Sequence, residues 1–284
     1  MTPSGVTDTL TINAVRALLR TRALGKCLHI LEETDSTNRD ALTRAQAGAE
    51  SGTVVVAESQ TAGRGRRGRT WHSPAGENLY CSIIFDPPSF QQGATPILPW
   101  IPLLTGVAVV AAIRDLTGLQ PSLKWPNDLL LNHKKCGGIL CESAQRGQGQ
   151  FFTVIGIGLN VNSNPDGFPV EFRATSTSLR AESGTVIDRA ALLAQLLNQL
   201  DQQLELLAST SPDWWREEYV THCSTVGQRV RVECADGECL EGLAIAIGED
   251  GCLKIQADQS RADGRSGRML EVRAGDVTHL RPTH

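Results

Sequence analysis

Phe151 to Val161 reads Phe-Phe-Thr-Val-Ile-Gly-Ile-Gly-Leu-Asn-Val, apolar along almost its whole length. A strand with one wet face alternates polar and apolar residues, whereas a strand covered on both faces has no reason to. The stretch therefore predicts the middle of a sheet with packing layers on either side. Its Gly-x-Gly is no dinucleotide fingerprint, since neither a third glycine nor a helix follows. Flanking strands are available in Leu28–Glu33, in the β-branched run Thr53–Glu58 and in Asn78–Phe85. Two antiparallel strands, ending in Leu129-Leu130-Leu131 and resuming at Cys136-Gly137-Gly138, are joined near Asn132-His133-Lys134. Helical patterns fall between them: Thr11–Ala23 with Thr11 as N-cap, and Thr34-Asp35-Ser36-Thr37-Asn38 opening a helix to about Ala47. Pro99–Gly118 reads as a largely buried helix ending on a glycine, Ile187–Ala208 carries a leucine stripe, and Pro212–His222 contains Trp214-Trp215. These elements predict an α+β fold, a sheet with helices packed on it.

Beyond about Thr225 the texture changes. Short alternating segments (Arg229–Cys234, Leu240–Ile247, Cys252–Gln256, Met269–Arg273) are separated by turns at Asp236-Gly237, Asp250-Gly251 and Asp263-Gly264. That spacing predicts a small β-barrel or sandwich. The expected domains are residues 1–224 and 225–284.

Function is announced by Gly63-Arg64-Gly65-Arg66-Arg67-Gly68-Arg69, four arginines and three glycines in a chain of formal net charge −4. Glycine lets backbone N–H groups approach a ligand, and the arginine fork matches carboxylate and phosphate oxygens. Two readings follow: a loop closing over a polyanionic small molecule, or a basic patch for nucleic acid. The net negative charge argues against general nucleic-acid affinity. The N-terminus lacks the apolar core of a signal peptide, and no run reaches the roughly 18 apolar residues of a membrane span. A cytoplasmic protein is expected. None of the 8 cysteines has zinc-knuckle or redox spacing, and most lie in strand-like runs as small hydrophobes. Ser36 and Thr37 suit either helix capping or a polar ligand. Trp71 is either a core anchor or a stacking surface. Lys135 is either a solvated hairpin lysine or a functional cation, and Gly137-Gly138 inside a strand pattern suggests close approach of a ligand or backbone.

Five motifs then stand together: Thr34-Asp35-Ser36-Thr37-Asn38; Gln60-x-Ala62 followed by the arginine loop and Trp71; Lys124-Trp125-Pro126-Asn127-Asp128; Lys135-x-Gly137-Gly138-Ile139-Leu140; and Gly156-x-Gly158-x-Asn160. In this order and spacing the chain resembles the biotin–protein ligases, from roughly residue 28 to the end. The resemblance implies a mixed-sheet catalytic domain of the class II aminoacyl-tRNA synthetase kind and an SH3-like C-terminal barrel. It implies biotin and ATP as substrates, Mg²⁺ with the phosphates, biotinyl-5′-AMP as intermediate and a biotin carboxyl carrier protein as acceptor, with no protein-bound metal. By the same resemblance Lys135 bridges the biotin carboxylate and the α-phosphate, and Arg64, Gly65 and Arg66 close over biotin and the adenylate. Ser36, Thr37, Asn38, Gln60, Gly137 and Gly138 form the biotin pocket. Arg67, Trp71, Asn127, Asn160, Arg189 and Arg281 lie near the nucleotide, and Asp128 serves the incoming lysine ammonium as partner or general base. Such a glycine-rich, like-charged loop is expected to be mobile without ligand and to order around the adenylate.

Two departures are visible. The bifunctional members' DNA-binding domain finds no counterpart, so the monofunctional form is expected and repression is not implied. Ser176-Thr177-Ser178 stands where some members place a tryptophan over the adenine. A lipoate–protein ligase, a nucleic-acid-binding module and a catalytically silent biotin sensor are the rival readings. No membrane partner is expected, and exposed sheet edges leave a homodimer open.

Overall fold

The apolar run predicted to be central is central. In the computed structural model, which describes residues 10–87, 97–147, 150–234, 239–258 and 267–280, it forms strand β7 (Gln150–Leu159). It lies fourth in a seven-stranded mixed sheet. The order is β1 (Leu28–Thr34), β2 (Val54–Gln60), β3 (Leu79–Phe85), β7, β6 (Lys134–Arg146), β5 (Asp128–Leu131), β4 (Ser122–Lys124). β1 and β2 run parallel, and the remaining neighbours are antiparallel. The hairpin joining β5 to β6 turns on Asn132 and His133, both in the left-handed region (φ 47° and 64°), a conformation that favours Asn and His over most side chains.

One face of this sheet is covered by α3 (Trp100–Thr117) and α5 (Arg189–Ser209), the other by α2 (Thr37–Gln46). Helix α3 is long and apolar enough to cross a membrane by length and composition, but it packs inside the molecule against α5. Gly118 caps it at φ 74°. Helix α1 (Ile12–Leu18) starts at Thr11 as expected but ends before Ala23. The reason lies on α5: Asn198 accepts from the N–H of Arg20 at 2.7 Å, and Asp201 accepts from those of Arg22, Ala23 and Leu24 at 2.7, 3.1 and 3.0 Å. These carboxylate and amide oxygens take the donors that a longer helix would use.

Helix α4 (Leu179–Ser183) and helix α6 (Pro212–His222) lead to a second, five-stranded antiparallel sheet. Its order is β11 (Met269–Val272), β10 (Leu253–Ala257), β9 (Cys239–Ile247), β8 (Arg229–Cys234), β12 (Gly275–His279). The turns expected at 236–237 and 263–264, and Arg281, lie outside the described residues. Trp125 ties the sheets together: its backbone N–H donates to Thr225 Oγ1 and its indole to the Gly251 carbonyl, both at 3.0 Å. Trp100 donates likewise to the Glu249 carbonyl at 2.7 Å. Val230, Val232, Leu253 and Ile255 belong to the same buried cluster as α3.

Candidate active site

Alternation along β7 decides where a cleft can open. Ile155, Ile157 and Leu159 point into the core beneath α3, while Phe152 and Val154 point to the opposite face under α2. The next positions on that second face are Gly156 and Gly158. A Cβ on Gly156 would meet Asn38 Oδ1 at 1.9 Å, and one on Gly158 would meet the Trp71 indole at 2.7 Å. The glycines are needed because other groups lie flat on the strand. Register extends this floor across the sheet: Asp128, Gly138, Gly158 and Tyr80 form one row, and Leu140, Gly156 and Ser82 the next. Above it lies a cleft of about 1350 Å³.

Lys135 reaches this face through an irregularity. Leu129 pairs with Gly137, but Leu130 pairs with Lys135, so Cys136 is an extra residue on β6. The bulge turns Lys135 to the cleft while Gly138 faces it too. Cys136 is left in the core, where burial pushes its thiol up to about 12, as it does for Cys81 and Cys141. These three behave as the small hydrophobes expected.

One end of the cleft is polar and buried. Ser36, the N-cap of α2, makes no side-chain capping bond, so helix capping does not account for its hydroxyl. Gln60 Oε1 accepts from the backbone N–H of Thr37 at 2.9 Å, and Gln60 Nε2 donates to Ser73 at 2.8 Å. Asn38 Nδ2 donates to the Leu140 carbonyl and to Glu142 at 3.1 and 2.9 Å, and its Oδ1 accepts from Ser82 at 2.6 Å. This network fixes the orientation of every amide in the pocket.

The middle of the cleft is cationic. Lys135 is paired with Asp128 and lies 5.4 Å from the centroid of the Trp71 ring. Trp71 is half-buried against Gly158, and its indole N–H is buried without a hydrogen-bond partner. Arg66 donates to Asn127 Oδ1 at 3.0 Å, and Asn127 in turn donates to the Ile139 carbonyl at 2.9 Å. Burial pulls the Arg66 guanidinium below its ordinary pKa, opposed by Asp276 and Asp128. Burial likewise lowers Lys124, against the pull of Asp128 and with the help of Lys135. Cations so desolvated favour an anionic ligand that restores their lost solvation.

The arginine loop is a closed hairpin here. Trp71 donates to the Gly63 carbonyl at 2.9 Å and Gly65 to that of Arg69 at 2.7 Å, with Arg67 at the tip in the left-handed region (φ 55°). A Cβ on Gly63 would lie 2.4 Å from the Trp71 carbonyl, so the strands could not close on any larger residue. Arg64 pairs with Glu142 at 2.8 Å.

The structure brings Ser36, Thr37, Asn38, Gln60, Arg64, Gly65, Arg66, Trp71, Asn127, Asp128, Lys135, Gly138 and Asn160 to one cleft. Three expected site residues are not brought to its lining. Gly137 faces the core, where a Cβ would lie 2.6 Å from Leu159 Cδ2, so the close approach it permits is to packing rather than to ligand. Arg67 turns outward to the second sheet. Arg189 is buried at the start of α5, donating to Glu58 at 2.6 Å and to the Asn78 carbonyl at 3.2 Å. Conversely, Lys124, Glu142, Asp276 and His279 join the site without having been singled out. Lys124 stood inside a quoted motif and was within reach of sequence reading. Asp276 and His279 come from the second sheet, where no local pattern marks them.

This site defines a class of protein in which a buried hydrogen-bonding pocket opens directly onto a cationic centre. The sequence profile of the Biotin/lipoate A/B protein ligase family matches residues 30–162. The Biotin--[acetyl-CoA-carboxylase] ligase of Mycobacterium tuberculosis is 36% identical over 261 residues, 89% of this chain and 89% of that protein. The Bifunctional ligase/repressor BirA of Bacillus subtilis is 33% identical over 262 residues, 88% of this chain and 75% of that protein. The solved biotin protein ligase from Aquifex aeolicus, in complex with biotin and ATP, is similar with a TM-score of 0.74 and 29% identity, over 90% of this chain and 100% of that one. The chain belongs to the biotin–protein ligase family.

Proposed function

We infer that this protein activates biotin with ATP as biotinyl-5′-AMP and transfers the biotinyl group to a lysine of a biotin carboxyl carrier protein. The observation that carries this reading is the division of one cleft into a buried hydrogen-bonding pocket around Asn38 and Gln60 and a cationic centre around Lys135 and Arg66. A ureido ring has the donors and acceptors for the first, and a carboxylate meeting a phosphate needs the second.

In the first step the biotin carboxylate oxygen attacks the α-phosphorus of ATP, a P–O bond forms, and pyrophosphate leaves. Two anions must approach to about 3 Å, so positioning and charge neutralisation supply the catalysis. Lys135 leaves Asp128 to bridge carboxylate and α-phosphate. Arg64 and Arg66 neutralise the phosphates from the loop, and Trp71 and Asn160 flank the adenylate. In the second step Asp128, released from Lys135, pairs with the incoming lysine ammonium and takes a proton from it. The freed amine attacks the acyl carbon, the C–O bond to the phosphate breaks, and AMP departs with the electron pair on its oxygen. The remaining extra proton on nitrogen passes to solvent. Mg²⁺ would accompany the pyrophosphate leaving group, held largely by phosphate oxygens.

The reading carries an organisation with it: a catalytic domain, residues 1–224, of the class II aminoacyl-tRNA synthetase kind, and an SH3-like domain, residues 225–284. It also carries a cytoplasmic location and a carrier protein, not nucleic acid or membrane, as partner, with a homodimer formed along a free sheet edge. Biotin-dependent ATP–pyrophosphate exchange without carrier, run beside lipoate, tests it. Exchange with biotin alone supports the reading, exchange with lipoate alone moves the protein to lipoate activation, and exchange with neither overturns acyl adenylation.

A further inference from the structure

The second sheet holds the arginine loop by three of its four arginines. Arg66 donates to the Gly275 carbonyl at 3.4 Å. Arg67 donates to Asp276 Oδ2 at 3.1 Å and to the carbonyls of Glu233 and Cys234 at 3.3 and 3.2 Å. Arg69 pairs with the same Asp276 oxygen. All of these acceptors lie at one end of the β8–β12 pairing, where Gly275 is opposite Cys234 and Asp276 opposite Glu233. A Cβ on Gly275 would lie 2.6 Å from Val232 and 3.1 Å from the Glu233 carbonyl, so this corner closes only on glycine.

The chemistry of the corner is asymmetric. Arg64, Arg66, Arg67 and Arg69 repel one another, and a loop with four like charges does not fold shut unaided. Arg67 also sits at φ 55°, a conformation that costs a non-glycine residue energy unless contacts hold it. Among the described residues Asp276 is the one carboxylate that meets two of the loop arginines, at a site where its side chain is only 31% exposed, while Glu233 lies 3.6 Å from Arg67 alone. Arg66, one residue before Arg67 and three before Arg69, is thereby delivered to Asn127 on the cleft side.

We propose that Asp276, with the carbonyls of Gly275, Glu233 and Cys234, is a latch that holds the arginine loop closed, so that the second sheet sets how long a bound acyl-adenylate is retained. Asp276 is a positioning residue: it acts through Arg67 and Arg69 on Arg66 and reaches no reacting atom. The latch releases when the loop arginines exchange Asp276 for solvent, opening the cleft to a carrier lysine. The retention half of the proposal rests on the adenylation reading above, and the latch half does not.

Asp276→Asn keeps the size of the side chain and removes its charge, and a matched thermal melt verifies that the variant folds. Hydrogen–deuterium exchange of residues 63–71 in the unliganded protein reads the latch directly. It should rise about tenfold, the scale of losing one charge-assisted contact. Unchanged exchange overturns the latch whatever the enzyme catalyses. The second readout is the release rate of preformed, radiolabelled biotinyl-5′-AMP in a chase with unlabelled biotin. It should also rise about tenfold in Asp276→Asn and return towards wild type in Asp276→Glu. Faster exchange with an unaltered release rate overturns the retention role. Failure of the wild-type protein to form any adenylate overturns the activity instead, and leaves exchange as the sole judge of the latch.

Discussion

Gly156→Ala is the sharpest perturbation the site offers. Gly156 lies in a central strand and outside the left-handed region, so alanine meets no backbone strain and the whole effect is steric. The new Cβ would start 1.9 Å from Asn38 Oδ1 and 2.7 Å from its Cγ. Relief requires the amide to retreat by more than an ångström. It is held by Ser82 at 2.6 Å, Glu142 at 2.9 Å and the Leu140 carbonyl at 3.1 Å. Losing two neutral hydrogen bonds and one to a carboxylate costs about 3–4 kcal/mol, and refusing to move costs ~1–3 kcal/mol in overpacking. A destabilisation of about 3 kcal/mol is expected, with biotin affinity falling at least ~10-fold as the pocket amide is displaced. Urea unfolding of Gly156→Ala, Asn38→Ala and the double variant closes the cycle. In the Asn38→Ala background the three atoms nearest the new Cβ are gone, so the cost of alanine at 156 should drop below about 1 kcal/mol. An equal cost in both backgrounds would refute the claim that Asn38 is what makes glycine necessary.

Three other expectations are open to measurement. Lys135→Ala should slow adenylate formation by at least ~100-fold, as for loss of one charge-stabilising donor, and single-turnover kinetics reads this directly. Arg189→Ala should act on stability rather than on nucleotide affinity: it leaves Glu58 without its partner and should cost about 3 kcal/mol in denaturant unfolding, the low end for a broken buried pair because Glu58 is partly exposed. His279 is held below its ordinary value of 6.5 by burial and by the nearby Lys124 and His133. The unfolded chain therefore takes up this proton first as pH falls through about 6.5, and stability is lost from there down to the folded pKa. His279→Gln should shrink the difference in urea midpoint between about pH 7.5 and about pH 5.5.

Much of this protein is local and therefore readable along the chain. The run Phe151–Val161 had to be central because both its faces are apolar, and β7 sits in the middle of the sheet. Thr11 and Gly118 marked helix ends through their own capping and left-handed geometry. Five motifs in register placed about half of the cleft lining. Where the reading stopped, the cause was a partner distant in sequence. Helix α1 ends early because Asn198 and Asp201 take its donors. Gly137 and Gly138 are adjacent and identical, yet one serves packing and the other the cleft, because alternation separates their faces. The bulge at Cys136, which turns Lys135 into the cleft, is a register decision made by β5 and invisible within β6. Arg67 and Arg189 look like any other arginine until tertiary structure gives them Asp276 and Glu58. Sequence determined the strands, the helices and the chemical inventory, because those follow from each residue and its near neighbours. Only the folded chain decided which cations face the ligand and which hold the structure closed, since a charge is assigned by whatever opposite charge stands within a few ångströms of it.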